Sequence, residues 1–150
     1  MKKLIKLFLT ALLIMSNAVP TFATEKTVYI EKISDDYYIE QTIEEISITR
    51  STYRKTGTKT TKVLDSNKNL LWSVTVTGTF EYDGSHSTCT ASSVSTACPA
   101  SAWKITSSSA TKSGSSATAK ATVKCYSIGV AVETLTESVT LVCGSDGTLY

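Results

Sequence analysis

The chain has 150 residues, with 15 basic and 13 acidic side chains, one histidine and four cysteines. That length suits one domain with room for a real hydrophobic core. Three of the basic residues fall within the first 23, so residues 24–150 hold twelve basic against thirteen acidic groups, a net of −1 that argues against a nucleic-acid binder.

Residues 1–23 read as a secretory signal peptide. Lys2, Lys3 and Lys6 precede an apolar run from Leu4 to Met15, and Pro20-Thr21-Phe22-Ala23 offers a small-residue exit, with cleavage expected after Ala23. The apolar run is short for a bilayer span and no later stretch replaces it. With no sorting-type Leu-Pro-x-Thr-Gly, no lipid-accepting cysteine at the cut and no apolar tail, the expected product is released outside a bacterial cell or held there only by non-covalent binding. It would be a single domain over residues 24–150, with its cysteines in an oxidising compartment.

Residues 24–68 mix eight basic with eight acidic residues, whereas 69–150 carry four and five. In 35–48, Ile39, Ile43 and Ile46 have helical spacing, but Tyr37-Tyr38-Ile39 and Ile46-Ser47-Ile48-Thr49 favour a strand, which is the reading taken. Gly57–Leu64 is Thr-rich, and Asp65-Ser66-Asn67-Lys68-Asn69 is a turn cluster, so this segment and the next form a hairpin. From Leu70 to Tyr82 the alternation is strict: Leu70, Trp72, Val74, Val76, Gly78, Phe80 and Tyr82 on one face, and Leu71, Ser73, Thr75, Thr77, Thr79 and Glu81 on the other.

Serine and threonine fill 19 of the 39 positions in 84–122. Proline is too scarce for a mucin-like stalk and glycine too scarce for a linker, so short strands with small polar outer faces are expected at 88–92 and 102–106. Lys112–Ser116 reads as a turn around Gly114. Ala117, Ala119, Ala121, Val123 and Cys125 share one face of the next strand. Gly129–Cys143 is long and β-branched, with Val139, Leu141 and Cys143 aligned. No fixed internal repeat occurs. The architecture expected is all-β, an antiparallel two-sheet sandwich of Ig-like type, disulfide-linked, following a cleaved signal helix.

No two cysteines stand in a Cys-x-x-Cys spacing, so neither a redox pair nor a zinc knuckle is offered. Alternating strand directions put Cys89 and Cys143 at one end of the sandwich and Cys98 and Cys125 at the other. Cys125 and Cys143 would stand about 40 Å apart along adjoining segments. The expected bridges are therefore Cys89–Cys143 and Cys98–Cys125, with a local Cys89–Cys98 loop as competitor.

Asp83-Gly84-Ser85-His86-Ser87 contains the only histidine. Neighbours on one turn do not take nucleophile–base–orienter geometry, and no Gly-x-Ser-x-Gly elbow is present, so a hairpin turn is expected and no catalytic residue is assigned. Gly144-Ser145-Asp146-Gly147 is too poor in charged oxygens for calcium, and no metal or cofactor site is expected. Asp35-Asp36 and Glu44-Glu45 read as solvated charges, with no acid singled out for glycoside hydrolysis. Trp72 and Trp103 fall on apolar faces and read as core. Tyr29, Tyr37, Tyr38 and Tyr53 are less tied to a core pattern and are candidates for a binding surface.

Leu71–Gly84, then Cys89, Trp103, Val139-Thr140-Leu141-Val142-Cys143 and Gly147-Thr148-Leu149, resemble a group of uncharacterised small secreted β-sandwich proteins of Gram-positive bacteria. The likeness spans residues 50–150 and implies secretion and a sandwich, with no catalytic residue to carry over. It also implies that Cys89 and Cys143 pair, leaving Cys98 and Cys125 to bridge each other. The function expected is that of a non-catalytic extracellular module binding a glycan, wall polymer or protein. The alternatives are a secreted antagonist (toxin or enzyme inhibitor), which an exposed Thr90–Ala97 loop would favour, and a hydrolase with unidentified carboxylates.

Overall fold

The computed structural model of the chain describes residues 26–49 and 53–150, with the side chains of all but 47–49. The expected signal peptide lies outside them. Eight strands follow in order: β1 Lys26–Lys32, β2 Tyr37–Thr49, β3 Arg54–Asp65, β4 Leu70–Tyr82, β5 Ser87–Ala97, β6 Trp103–Ser113, β7 Ser116–Ser127 and β8 Val130–Val142. All pairs are antiparallel, in a five-stranded sheet β1-β2-β3-β4-β5 and a three-stranded sheet β6-β7-β8.

The all-β, two-sheet expectation holds. The Ig-like part of it does not. Neighbours in each sheet are consecutive in sequence, giving an up-and-down meander where an Ig domain has Greek-key connections. Connections of only two to four residues between partners dictate this, and the chain changes sheet once, between β5 and β6.

Strand β4 organises the core. Trp72, Val74, Val76 and Phe80 are wholly buried on the face the alternation assigned, and Ala117, Ala119, Ala121 and Val123 of β7 are buried opposite them. Small alanines on β7 make room for the large β4 side chains, so the two layers interdigitate. Gly78 belongs to the same fit, since a Cβ there would lie 2.6 Å from the Phe80 ring and 2.9 Å from the Ala117 Cβ. The outward faces carry threonine pairs across strands, with Oγ1–Oγ1 distances of 2.8 Å for Thr60–Thr75 and 2.9 Å for Thr118–Thr140.

Strand β2 follows the reading taken for 35–48, whereas β5 and β6 depart from theirs. The 35–48 region is a strand, and its helix-like isoleucine spacing has a local cause. Ile39 and Ile43 pack against the core, whereas Ile46 sits in a bulge between Glu45 and Ser47 and is exposed. Strands β5 and β6 run well beyond 88–92 and 102–106, because serine adds length to a strand without adding hydrophobic signal. Thr90–Ala97 is therefore strand and no exposed loop. β1 had no expectation attached; its seven residues are all exposed, so neither face is marked by burial.

The expected disulfides are not formed in the structure, where all four cysteines are free thiols. Strand direction still sorts them as anticipated. At the upper end, where β4 finishes, the Cys89 N–H donates to Gly114 O (2.7 Å) and the Cys143 N–H to Ser115 O (3.0 Å), adjacent residues of one turn. At the lower end Cys125 is the register partner of Trp103, and Cys98 follows the end of β5. Cys89 and Cys98 are thus at opposite ends of one strand. In the upper pair each thiol turns to a local carbonyl, Cys89 Sγ to Ala91 O at 3.2 Å and Cys143 Sγ to Gly144 O at 3.4 Å.

Candidate binding surface

The four candidate tyrosines do not meet. Tyr37 joins the lower core, edge-on to Trp103 with centroids 6.3 Å apart, and its hydroxyl donates to Glu133 Oε2 at 3.1 Å. Burial, then the Glu133 carboxylate, pushes its pKa upward. Tyr38, the next residue of β2, points to the opposite face under the Lys68 ammonium, 5.5 Å from its ring centroid. Tyr53 stacks edge-on to Tyr82 at the upper end. Tyr53 remains exposed there, and Tyr29, on β1, is open on the core-facing side of its sheet.

The histidine turn is structural. The Asp83 carboxylate accepts the Ser85 and His86 backbone N–H groups at 2.8 and 2.7 Å, which holds its pKa below the ordinary value. Gly84 N–H ties this turn to Ser145 O at 2.9 Å. Asp146 caps its own turn through the backbone and hydroxyl of Thr148. Two acids share the core-facing side of β8, Glu133 and Glu137. Four residues apart on one strand, they stand about 13 Å from each other, beyond the span of a glycosidase pair. Among the described residues no group of three metal-ligating side chains is gathered, and no helix is long and apolar enough to cross a membrane.

A different surface stands out, on residues the sequence reading passed over. The β7–β8 hairpin turns through Ile128 and Gly129, with Ser127 opposite Val130. Both turn residues have positive φ, 50° and 79°. This is the backbone of a two-residue primed turn, which Asn-Gly suits best. A β-branched side chain at positive φ is strained, by about 1–2 kcal/mol. Ile128 is nevertheless fully exposed, and Val130 and Val132 behind it are about two-thirds exposed. Backbone strain and exposed apolar surface thus fall together on one tip.

The β1–β2 turn adds to this end. Ile33, also exposed, donates its N–H to Tyr37 O (3.1 Å), and Tyr37 in turn holds Glu133, the residue after Val132. The lower end thus presents Ile33, Ile128, Val130 and Val132 around the Tyr37–Glu133 link. The signal was present in the sequence as Ile128-Gly129-Val130-Ala131-Val132. It was masked because a β-branched run around a glycine reads as buried strand. Comparison with protein-family models, with curated proteins and with solved structures finds no match for this chain.

Proposed function

We propose that the protein is a secreted, non-catalytic extracellular binding module, exported through residues 1–23 and allied to the Gram-positive sandwich group it resembles. Its working surface is the lower end of the sandwich, with Ile128 as anchor. The observation that carries this reading is an isoleucine kept fully exposed in a strained turn position. The patch is aliphatic, and sugars are gripped by aromatic platforms and convergent polar groups, so the target favoured is a protein on a cell surface.

The test is co-sedimentation with Gram-positive cell walls, before and after protease treatment, and separately with mucin. Saturable pelleting lost on protease treatment is expected. Ile128→Asn, which suits the turn better, should keep the fold and weaken pelleting at least tenfold. Pelleting that survives protease and is competed by a defined glycan would overturn the protein target.

The exported protein is also read as disulfide-linked, through Cys89–Cys143 and Cys98–Cys125. Support comes from the sharing of one turn by the Cys89 and Cys143 backbones. Rotation of both side chains from their local carbonyls, with loss of two protons and two electrons to an extracellular thiol oxidant, would form the upper bridge. Non-reducing peptide maps should show these two pairs; a Cys125–Cys143 peptide would contradict the strand directions.

A further inference from the structure

We infer that β1 is a self-association edge, pairing antiparallel with β1 of a second copy about a two-fold axis through Tyr29. Among the described residues β1 pairs only with β2, so its other edge offers an unpaired row of backbone donors and acceptors. Edges left open in this way are usually protected by charges or bulges. This one has no bulge in its register with β2 from Lys26 to Lys32, and between its charged ends it exposes Val28, Tyr29 and Ile30.

The sequence of the strand, Lys-Thr-Val-Tyr-Ile-Glu-Lys, selects a second copy as the occupant. Its apolar centre and its ends are palindromic about Tyr29: Val28 matches Ile30 and Lys26 matches Lys32, with Thr27 standing opposite Glu31. An isologous two-fold seam places residue i opposite residue j and j opposite i, so a palindrome sets like beside like. Val28 then lies against Ile30 of the other copy, twice, on one face of a continuous ten-stranded sheet. Thr27 offers its hydroxyl to Glu31 on the other face, and the two Tyr29 rings meet at the axis.

The terminal pairs bring Lys26 opposite Lys32 of the other copy, which would repel if both were bare. Each is already neutralised within its own chain. Lys26 Nζ lies 3.1 Å from Glu44, and Lys32 Nζ lies 2.8 Å from Asp35. Neutralised lysines at both ends and matched β-branched residues in the middle also define the register. A shift by two residues sets Lys26 against Ile30 or Lys32 against Val28. Seven residues per strand is a small seam, so the dimer should be weak, with a dissociation constant on the order of tens of micromolar. The seam uses the edge of β1 and leaves the Ile128 tip free, so it stands or falls apart from the proposed target.

Sedimentation velocity over a concentration series, combined with cysteine crosslinking, tests this. The wild-type protein should move from monomer toward dimer as concentration rises. Tyr29→Cys should give a covalent dimer under mild oxidation, because directly opposed Cα atoms lie about 4.5–5.5 Å apart, within disulfide reach. Thr27→Cys should not, because its own counterpart lies about 13 Å along the seam. Val28→Lys with Ile30→Lys should weaken association at least tenfold while leaving the melting transition in place. A monomer at every concentration, equal crosslinking by the two cysteine variants, or a dimer indifferent to the lysine pair would overturn the proposal.

Discussion

The block from β3 to β8 and the β1 strand share the same extended backbone, yet they are held by different means. In the block, large apolar side chains of β4 and small ones of β7 are buried together in one core. Among the described residues β1 has its ladder to β2 and no second layer, and all seven of its residues are exposed. Backbone pairing is therefore common to both regions, while burial belongs to one. Since hydrophobic burial is the dominant favourable term in folding, the block carries the stability and leaves β1 available for contacts.

The largest test of that contrast is Trp72→Ala against Tyr29→Ala. Trp72 is 0% exposed and Tyr29 is 62% exposed. Truncating the first should cost about 3–5 kcal/mol in denaturant unfolding. Truncating the second should stay within about 0.5 kcal/mol. A similar cost for both, measured at concentrations where the protein is a monomer, would mean that β1 is covered within its own chain.

Gly78→Ala probes the same block by addition. The new methyl would meet the Phe80 ring and the Ala117 Cβ below 3 Å, so one layer must shift. A loss of about 1–3 kcal/mol is expected. A neutral result would show that the sandwich spacing relaxes.

Ile128→Asn should act in the opposite direction, because it relieves strain at a site outside the core. Asparagine tolerates positive φ and suits the primed turn, so stability should rise by about 1 kcal/mol, read from the melting temperature. A fall in stability would give Ile128 a packing role that its exposure does not suggest.

How much of this was legible follows from the same contrast. From Trp72 to Tyr82 the faces of β4 could be read residue by residue, because strict alternation records burial against a second layer; Leu71, assigned outward, packs on the core instead, at the bulge opposite Val63 and Leu64. Ala117–Cys125 was readable for the same reason. β5 and β6 were read too short, since Ser92, Ser93 and Ser107–Ser109 keep the strand period without apolar residues to show it. β1 was missed entirely, as a strand exposed on both faces has no pattern to leave. The candidate surface was the least legible part. The tyrosines invited grouping by type, but adjacent residues of one strand, Tyr37 and Tyr38, face opposite sides of the sheet. The Ile128 tip becomes visible only when its backbone angles are known.

Glu137 offers the smallest and most discriminating test, because it stands where the covered block meets the uncovered edge. Leu141 of β8 lies over Gly57, 3.7 Å from the position of a Cβ there, and Glu133 meets Tyr37, the register partner of Asp65. Between those anchors Glu137 falls over the stretch of β3 around Thr61, whose buried hydroxyl has no hydrogen-bond partner among the described residues. Burial alone raises the Glu137 pKa above its ordinary 4.5. The folded state therefore holds this proton more tightly than the unfolded state. The contribution of Glu137 to stability is most favourable below pH 4.5 and is lost as the pH rises through the raised folded value. Glu137→Gln removes the titration. It should match the parent near pH 3.5 and exceed it at pH 7 by a few tenths of a kcal/mol, a modest gain because the side chain is partly solvated. Parallel denaturant titrations at the two pH values measure this. If the variant were instead less stable at pH 7, the carboxylate would have a favourable partner across the junction, and the edge beside β8 would be a covered surface like the block.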